Sequence, residues 1–528
     1  MNGAAALDRL RASGAMTAHS NLSNAHFMSV TLYLSNDTSA RAAGADRLAQ
    51  AWAEAPGVEL VRTSSRGAFF LEPLVERDGP EGRLLWPRAT PEDLPRIRAG
   101  VGGLPVSDLS FLARQQRIVF ARFGMAEPLS LARYRALGGW RGYEAAAGLS
   151  PEAIIAEMKV SGLRGRGGAA FPVWSKWDIA RRTEADQKYV VANADEGDAG
   201  TYCDRLIMEG EPFRLIEGML ICAKAIGADR GYIYCRWEYP AAAVTMSAAI
   251  TEAERAGLLV VDGRPFRLEV FRGAGSYVCG EETALLSSLE GGRGMVKVRP
   301  PYPAVAGLYG KPTVVSNVLT FGTVTEILAR GAAWHASLGT ERSKGTIALQ
   351  LGGRIRQPGL VEIPFGATLG EVLERFGGGM VEGARFKAVQ VGGPLGSLFP
   401  ESALDIPLCF DAFNDIGAVL GHGGIVVFDD RTDMVELARH YMTFTADESC
   451  GKCTPCRIGS VRGRELLERI EAGQGTADDL TLLADLGETM KATSLCAHGA
   501  RGPYPVLTAM EHWPEEFTRR LSAVGPPP

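Results

Sequence analysis

Apolar and polar residues alternate over 28–34, a two-residue period that predicts a β-strand, and Asn36, Asp37, Thr38 and Ser39 then offer a helix cap. The pattern predicts a helix through Ala53, strands over 58–61 and 68–75, and a turn at 79–82 leading into a strand at 83–86. This reads as a small α/β domain over 28–120, preceded by a mobile tail, 1–27, that has no sustained period. Residues 130–160 read as helical, with Ser150 as N-cap and Pro151 at the first helical position. Strands at 188–192, 231–235 and 266–271 then alternate with helices at 211–227 and 239–256. Such alternation predicts a largely parallel sheet with helices on its faces, in a domain covering 121–337. Over 338–431 the texture changes to short strands (346–351, 359–363, 386–391, 425–428) with one helix near 368–376, a compact module of β-grasp type. A last domain, 432–528, is almost entirely helical to residue 522. The expected fold class is multi-domain α/β.

Composition narrows the classes of function. At 528 residues the chain is too long for one core. A hydrophobic content of 46% and a charged content of 22% are ordinary for a globular protein. The net charge of −5 leaves no basic footprint for nucleic acid. No window reaches about 18 uninterrupted apolar residues, so no membrane span is expected. The N-terminus, with Asp8, Arg9 and Arg11, lacks the apolar core of a secretory signal. Of nine cysteines, Cys203, Cys222, Cys235, Cys279 and Cys409 are scattered, which suits a reducing cytoplasm rather than a disulfide frame.

The other four cysteines carry chemistry. Cys450, Cys453 and Cys456 stand at C-x2-C-x2-C spacing on a loop with Gly451 and Pro455, and Cys496 lies far downstream beside His498. Three close thiolates and one distant suit a [4Fe–4S] cube. The alternative on spacing is a structural zinc site using four cysteines, or three and His498. A glycine-rich block, 162–172, could bring backbone N–H groups to a phosphate. It is not G-x-G-x-x-G and follows a helix, so the ordinary dinucleotide fingerprint fails, and no P-loop motif occurs. Arg166 and Lys176 add positive charge near it; Phe171 and Trp177 add flat apolar surface, or are simply core. Asp195, Glu196 and Asp198, and then Glu281 and Glu282 after Gly280, could accept hydrogen bonds from ribose hydroxyls or flavin N–H groups, or merely start helices.

Together these motifs resemble one family: the NADH-binding flavoprotein subunit of respiratory complex I and its relatives in NAD-linked hydrogenases and formate dehydrogenases. The resemblance covers about 130–520 and implies FMN, NAD(H) and one [4Fe–4S] cluster. By position it implies FMN contacts at Gly165, Arg166, Gly167, Lys176, Asn193, Asp195, Tyr277, Gly280, Glu281, Ser316 and Asn317. NAD(H) contacts are implied at Phe171, Glu196, Asp198, Glu282, Arg299 and Tyr302, with Glu196, Asp198 and Glu282 supporting hydride transfer, and cluster ligation at Cys450, Cys453, Cys456 and Cys496. The chain departs from the complex I pattern at Asp198 (usually Glu), Ala170 (a glycine) and Ser316 (an asparagine), and Arg299 and Tyr302 stand where Lys and Phe are common. Residues 28–120 resemble the thioredoxin-like domain of hydrogenase diaphorase subunits but contain no cysteine. That form is similar to the β subunit of cytoplasmic NAD-dependent molybdenum formate dehydrogenase. The resemblance then implies a molybdenum-containing large subunit with iron–sulfur clusters and a small [2Fe–2S] subunit as partners. Electrons would pass from them through the cluster and FMN to NAD+. A diaphorase of a hydrogenase or of NADH:quinone oxidoreductase, or a non-catalytic zinc-stabilised assembly protein, are the alternatives.

Overall fold

The computed structural model of the chain describes residues 29–80 and 82–522. The expected tail at 1–27, Glu81 of the expected turn, and 523–528 lie outside those residues.

The first sheet holds β1 (Val30–Ser35), β2 (Val58–Thr63), β3 (Val75–Gly79), β4 (Gly82–Trp86) and β5 (Leu104–Pro105) in the order β2-β1-β3-β4-β5. β1 and β2 are parallel, and β3 and β4 each run antiparallel to their neighbours. Leu32 and Leu34, in step on β1, bury against Leu48, Trp52 and Trp86. Asp37 caps as its type predicts, accepting from the N–H groups of Ser39 and Ala40. Gly44, at φ +109°, splits the expected single helix into Thr38–Ala42 and Ala45–Trp52. The strand expected at 68–75 is not formed. Phe69–Leu71 make a 3₁₀ turn and pairing begins only at Val75. Pro73 has no N–H for a ladder, and Ala68, Leu71 and Leu74 are drawn into the core of the third sheet.

Residues 130–160 are helical in three pieces, Leu131–Ala136, Arg141–Ala147 and Pro151–Ser161, divided at Gly138-Gly139 and at Gly148. The second sheet contains β6 (Tyr189–Ala194) and β7 (Arg230–Cys235). A short hairpin, β8 (Val260–Val261) with β9 (Arg264–Pro265), precedes β10 (Arg267–Arg272) and β11 (Thr313–Asn317). Its order is β10-β7-β6-β11 and every pairing is parallel. The helix Pro212–Ile226 is buried along its whole length between this sheet and its neighbours. Against it lies the helix Val318–Arg330, at a spacing that Gly218 permits: a Cβ there would stand 2.3 Å from the Phe321 carbonyl oxygen.

The third sheet is built from β12 (Thr346–Gly353), β13 (Gly359–Pro364), β14 (Phe386–Val391), β15 (Ser397–Phe399) and β16 (Gly424–Asp429), ordered β13-β12-β16-β14-β15. Its first and last strands in sequence, β12 and β16, pair in parallel and the rest are antiparallel. Buried Glu362 on β13 accepts from the backbone N–H groups of Ile118, Val119 and Phe120, tying this sheet to the segment that leaves the first one. From Met434 to Thr518 the chain is helical: Met434–Asp447, Thr454–Glu471, Ala477–Thr493, Ala497–Arg501, Tyr504–His512 and Pro514–Thr518. Their core takes in Ala388 and Leu398 of the third sheet.

Candidate functional site

A cavity of about 930 Å³ opens where the parallel sheet, the third sheet and the C-terminal helices meet. Its floor is the carboxyl end of β6 and β11, the edge at which open parallel sheets present their binding loops. The parallel register sets Asn193 beside Asn317. The Asn193 amide donates to the Gly280 carbonyl at 2.7 Å, and Asn317 caps the helix Val318–Arg330 by accepting from Leu319 N–H. The glycine block closes one wall as a tight loop, Gly165 N–H donating to Phe171 O at 2.8 Å. Gly167 approaches Asn317 so closely that a Cβ would stand 3.0 Å from it. Gly168 lies at φ +97°, and Ala170 at φ +52°, a conformation in which a glycine would be freer.

Of the residues expected at a cofactor, all but Arg166 line this cavity: Gly165, Gly167, Phe171, Lys176, Asn193, Asp195, Glu196, Asp198, Tyr277, Gly280, Glu281, Glu282, Arg299, Tyr302, Ser316 and Asn317. Arg166 is a correction. Its guanidinium is buried and donates to the Arg164 and Lys344 carbonyls, so it brings no charge to the cavity. The Glu196 carboxylate is buried at the cavity wall and accepts from the Asp204 and Arg205 N–H groups at the start of the helix Cys203–Gly210. Trp177 is fully buried core. Glu281 caps the helix Glu282–Leu289, accepting from Thr283 and Ala284 N–H, so the helix-start reading holds for one of its oxygens. Glu282 bridges Lys176, at 3.0 Å, and Arg299, at 3.3 Å. The exposed rings of Phe171 and Tyr302 are also part of the lining.

Burial sets the charge of the inner carboxyls. It raises Asp195 to about 7, against the pull of Arg236. It raises Asp198 as well, although the Tyr277 hydroxyl donates to that carboxylate at 2.8 Å. Thr201, Asp204, Thr320, Gly392, Leu395, Val419, Gly421 and His422 also line the cavity and were not expected there. The signal available for the last of these is the glycine run around His422 (Gly421, Gly423, Gly424), of the kind that marks a close backbone approach.

The cysteine loop abuts the same cavity. Tyr277 N–H donates to Glu448, and its ring packs edge-on against Phe444 at 4.9 Å, at the end of the helix that delivers the loop. Cys450 packs with Val278, Ala284 and Val296, and Cys496 lines the cavity itself. Cys453 and Cys496 each stand at a helix N-cap, and Leu495 N–H reaches Cys453 Sγ at 3.4 Å. Burial pushes the Cys456 thiol up and Cys496 to about 11, so these sulfurs are poor thiolates unless a metal takes the proton's place. His498 directs Nε2 to the Thr445 carbonyl at 2.9 Å. The donor set fits a four-thiolate cluster, and the glycine loop, Lys176 and the capped helix fit a flavin phosphate.

Comparison with known proteins agrees with this geometry. The Nuo51 FMN-binding domain profile matches residues 158–326, and the NADH-ubiquinone oxidoreductase-F iron-sulfur binding region matches 436–520, which holds all four cysteines. The NADP-reducing hydrogenase protein HndC of Solidesulfovibrio fructosivorans is 44% identical, over 76% of this chain and 83% of its own length. The F-type subunit of NADH-quinone oxidoreductase from Escherichia coli is 42% identical, over 74% and 89%. A crystal structure of NAD+-reducing [NiFe]-hydrogenase in the H2-reduced state aligns with a TM-score of 0.70 at 32% identity, covering 94% of this chain and 86% of that one. Fold and site thus define an NAD(H)-dependent flavin and iron–sulfur oxidoreductase component, with FMN, NAD(H) and a [4Fe–4S] cluster as its cofactors. The chain belongs to the family that unites the F-type subunits of NADH-quinone oxidoreductase with the related hydrogenase diaphorase subunits. Its relatives are components of larger assemblies. Among the described residues no helix is long and apolar enough to cross a membrane.

Proposed function

We propose that this chain is the diaphorase subunit of a cytoplasmic NAD-dependent formate dehydrogenase. Its partners are a molybdenum-containing large subunit with iron–sulfur clusters and a small [2Fe–2S] subunit; the whole complex converts formate and NAD+ to CO2 and NADH. One observation carries the reading. The first sheet, in the order β2-β1-β3-β4-β5 with β3 reversed, is consistent with a thioredoxin-like domain over 28–120, yet the first cysteine of the chain is Cys203. That domain therefore has no thiolate to hold a cluster. The all-parallel sheet supports an FMN and NAD domain over 121–337. The order β13-β12-β16-β14-β15 supports a β-grasp module over 338–431, and the C-terminal helices a cluster domain over 432–528.

Bound FMN supplies the exchange between a two-electron hydride and one-electron transfer, which neither NAD nor an iron–sulfur cluster can make alone. The protein's part is to bind and orient. The Gly167 backbone N–H, Lys176, Ser316 and the helix capped by Asn317 would hold the ribityl phosphate, with Gly165 shaping the loop. Asn193, Asp195, Tyr277, Gly280 and Glu281 would seat the flavin. Phe171 and Tyr302 would flank the adenine, Arg299 would meet the dinucleotide phosphate, and Asp198 and Glu282 would accept from hydroxyls or the carboxamide. Cys450, Cys453, Cys456 and Cys496 would ligate the cluster.

A second reading, the diaphorase of an NAD-reducing hydrogenase, is favoured by the alignment of 94% of the chain with such an assembly. Purifying the native complex decides between them. Molybdenum in the large subunit and formate-dependent NAD+ reduction are expected; nickel and hydrogen-dependent reduction would sink the formate assignment.

A further inference from the structure

In the wall of the cavity lies a cluster to which the proposed function gives no role. Glu196, Cys203, Asp204 and His422 are all buried, and each offers one ligand atom to a group in which no two atoms are more than 4.8 Å apart. His422 Nε2 stands 3.2 Å from Cys203 Sγ, 3.3 Å from Glu196 Oε1 and 3.2 Å from Asp204 Oδ2. Ligands at about 2.0–2.3 Å around one tetrahedral ion stand at comparable separations from each other.

The surroundings are those of a metal site. His422 Nδ1 lies 2.6 Å from the Arg166 carbonyl, which can only accept, so that nitrogen carries a proton and Nε2 is the atom turned to the cluster. Glu196 is oriented by the N–H groups of Asp204 and Arg205 and by the Tyr239 hydroxyl. Asp204 is oriented by Leu319 N–H and the Asn317 amide. One thiol, one imidazole and two carboxylates, without an excess of soft or hard donors, match a borderline divalent ion.

We infer that Glu196, Cys203, Asp204 and His422 form a closed structural zinc site, separate from the four-cysteine cluster. The two halves of the site come from different parts of the fold. Glu196, Cys203 and Asp204 follow β6 of the parallel sheet, whereas His422 sits on the loop before β16 of the third sheet. A metal bond between them staples the third sheet's loop to the cavity floor. A divalent cation also balances the two carboxylates buried there.

The test is metal analysis of the purified full-length holoprotein, with iron and acid-labile sulfide measured alongside. One zinc per chain beyond the cluster iron is expected, with zinc-edge X-ray absorption reporting one sulfur and three nitrogen or oxygen neighbours. His422→Ala and Cys203→Ala should each lower zinc at least tenfold, while Cys453→Ala should leave it in place. A zinc shell of four sulfurs, zinc retained in both His422→Ala and Cys203→Ala, or a holoprotein with full iron and sulfide but no zinc would each overturn the assignment. Flavin content and far-ultraviolet circular dichroism of the variants show whether they fold. Should His422→Ala not fold, the comparison rests on Cys203→Ser, which keeps the side chain's size but weakens zinc binding.

Discussion

Single residues decide how this chain holds charge inside. Glu72 is buried, and its carboxyl accepts from the Ser35 and Ser65 hydroxyls and from Leu74 N–H. Burial, reinforced by nearby Asp37, raises it from 4.5 to about 8. A carboxyl raised in the folded state gives stability that is complete below its unfolded value and lost as pH climbs to the folded one. Thermal melts should therefore show wild type losing ground to Glu72→Gln between about pH 4.5 and 8, since the amide cannot ionise yet keeps an acceptor for Leu74. Parallel pH profiles would refute this. Cys496 is decisive in another way, being the one of the four proposed cluster thiols that lines the cavity. Cys496→Ala should abolish the iron–sulfur absorption and the reduced-cluster resonance while retaining most of the FMN. An intact cluster spectrum would remove it as the fourth ligand. The C-x2-C-x2-C spacing made three of the four proposed ligands legible in the sequence. The retirement of Arg166 was not legible, because a side chain's direction depends on carbonyls that arrive from residue 344.

At the scale of elements, the cavity floor is only as sound as the packing beneath it. The helix Val318–Arg330 begins at the cavity with Asn317 as its cap, and its first turns press on Gly218 of the helix Pro212–Ile226. Replacing Gly218 by Ala puts a methyl group at 2.3 Å from the Phe321 carbonyl oxygen, so the helices must part. Overpacking of this kind costs about 1–3 kcal/mol. Urea denaturation should register that loss, and FMN retention on gel filtration should fall with it because the capped helix end shifts. Unchanged stability and flavin content would show that the crossing is not close in solution. Helices at 211–227 and 239–256 and strands at 188–192 and 231–235 were readable in the sequence, whereas the helix Val318–Arg330, buried on nearly every side, was not among the expected elements. The strand expected at 68–75 failed because its apolar residues serve the third sheet, a distant partner that local alternation cannot reveal.

At the scale of the whole molecule, the site exists only where three units meet. The parallel sheet gives the floor, the third sheet a wall through Gly392, Val419, Gly421 and His422, and the C-terminal helices bring Cys496 to the rim. The isolated, flavin-replete chain should therefore oxidise NADH with ferricyanide as acceptor, needing no partner for that half-reaction. Absence of this activity would contradict the diaphorase assignment. The sequence by itself determined the donor types and their local spacing: the cysteine triple, the glycine loop, the acidic pairs and the order of strands and helices. These follow from short-range rules of geometry and burial. Only the tertiary structure decided which donors are free. Arg166 is spent on carbonyls, and His422 is carried from the third sheet to Cys203 and Glu196. Hydrogen bonds between residues more than two hundred positions apart make the last of those choices, and no local pattern encodes them.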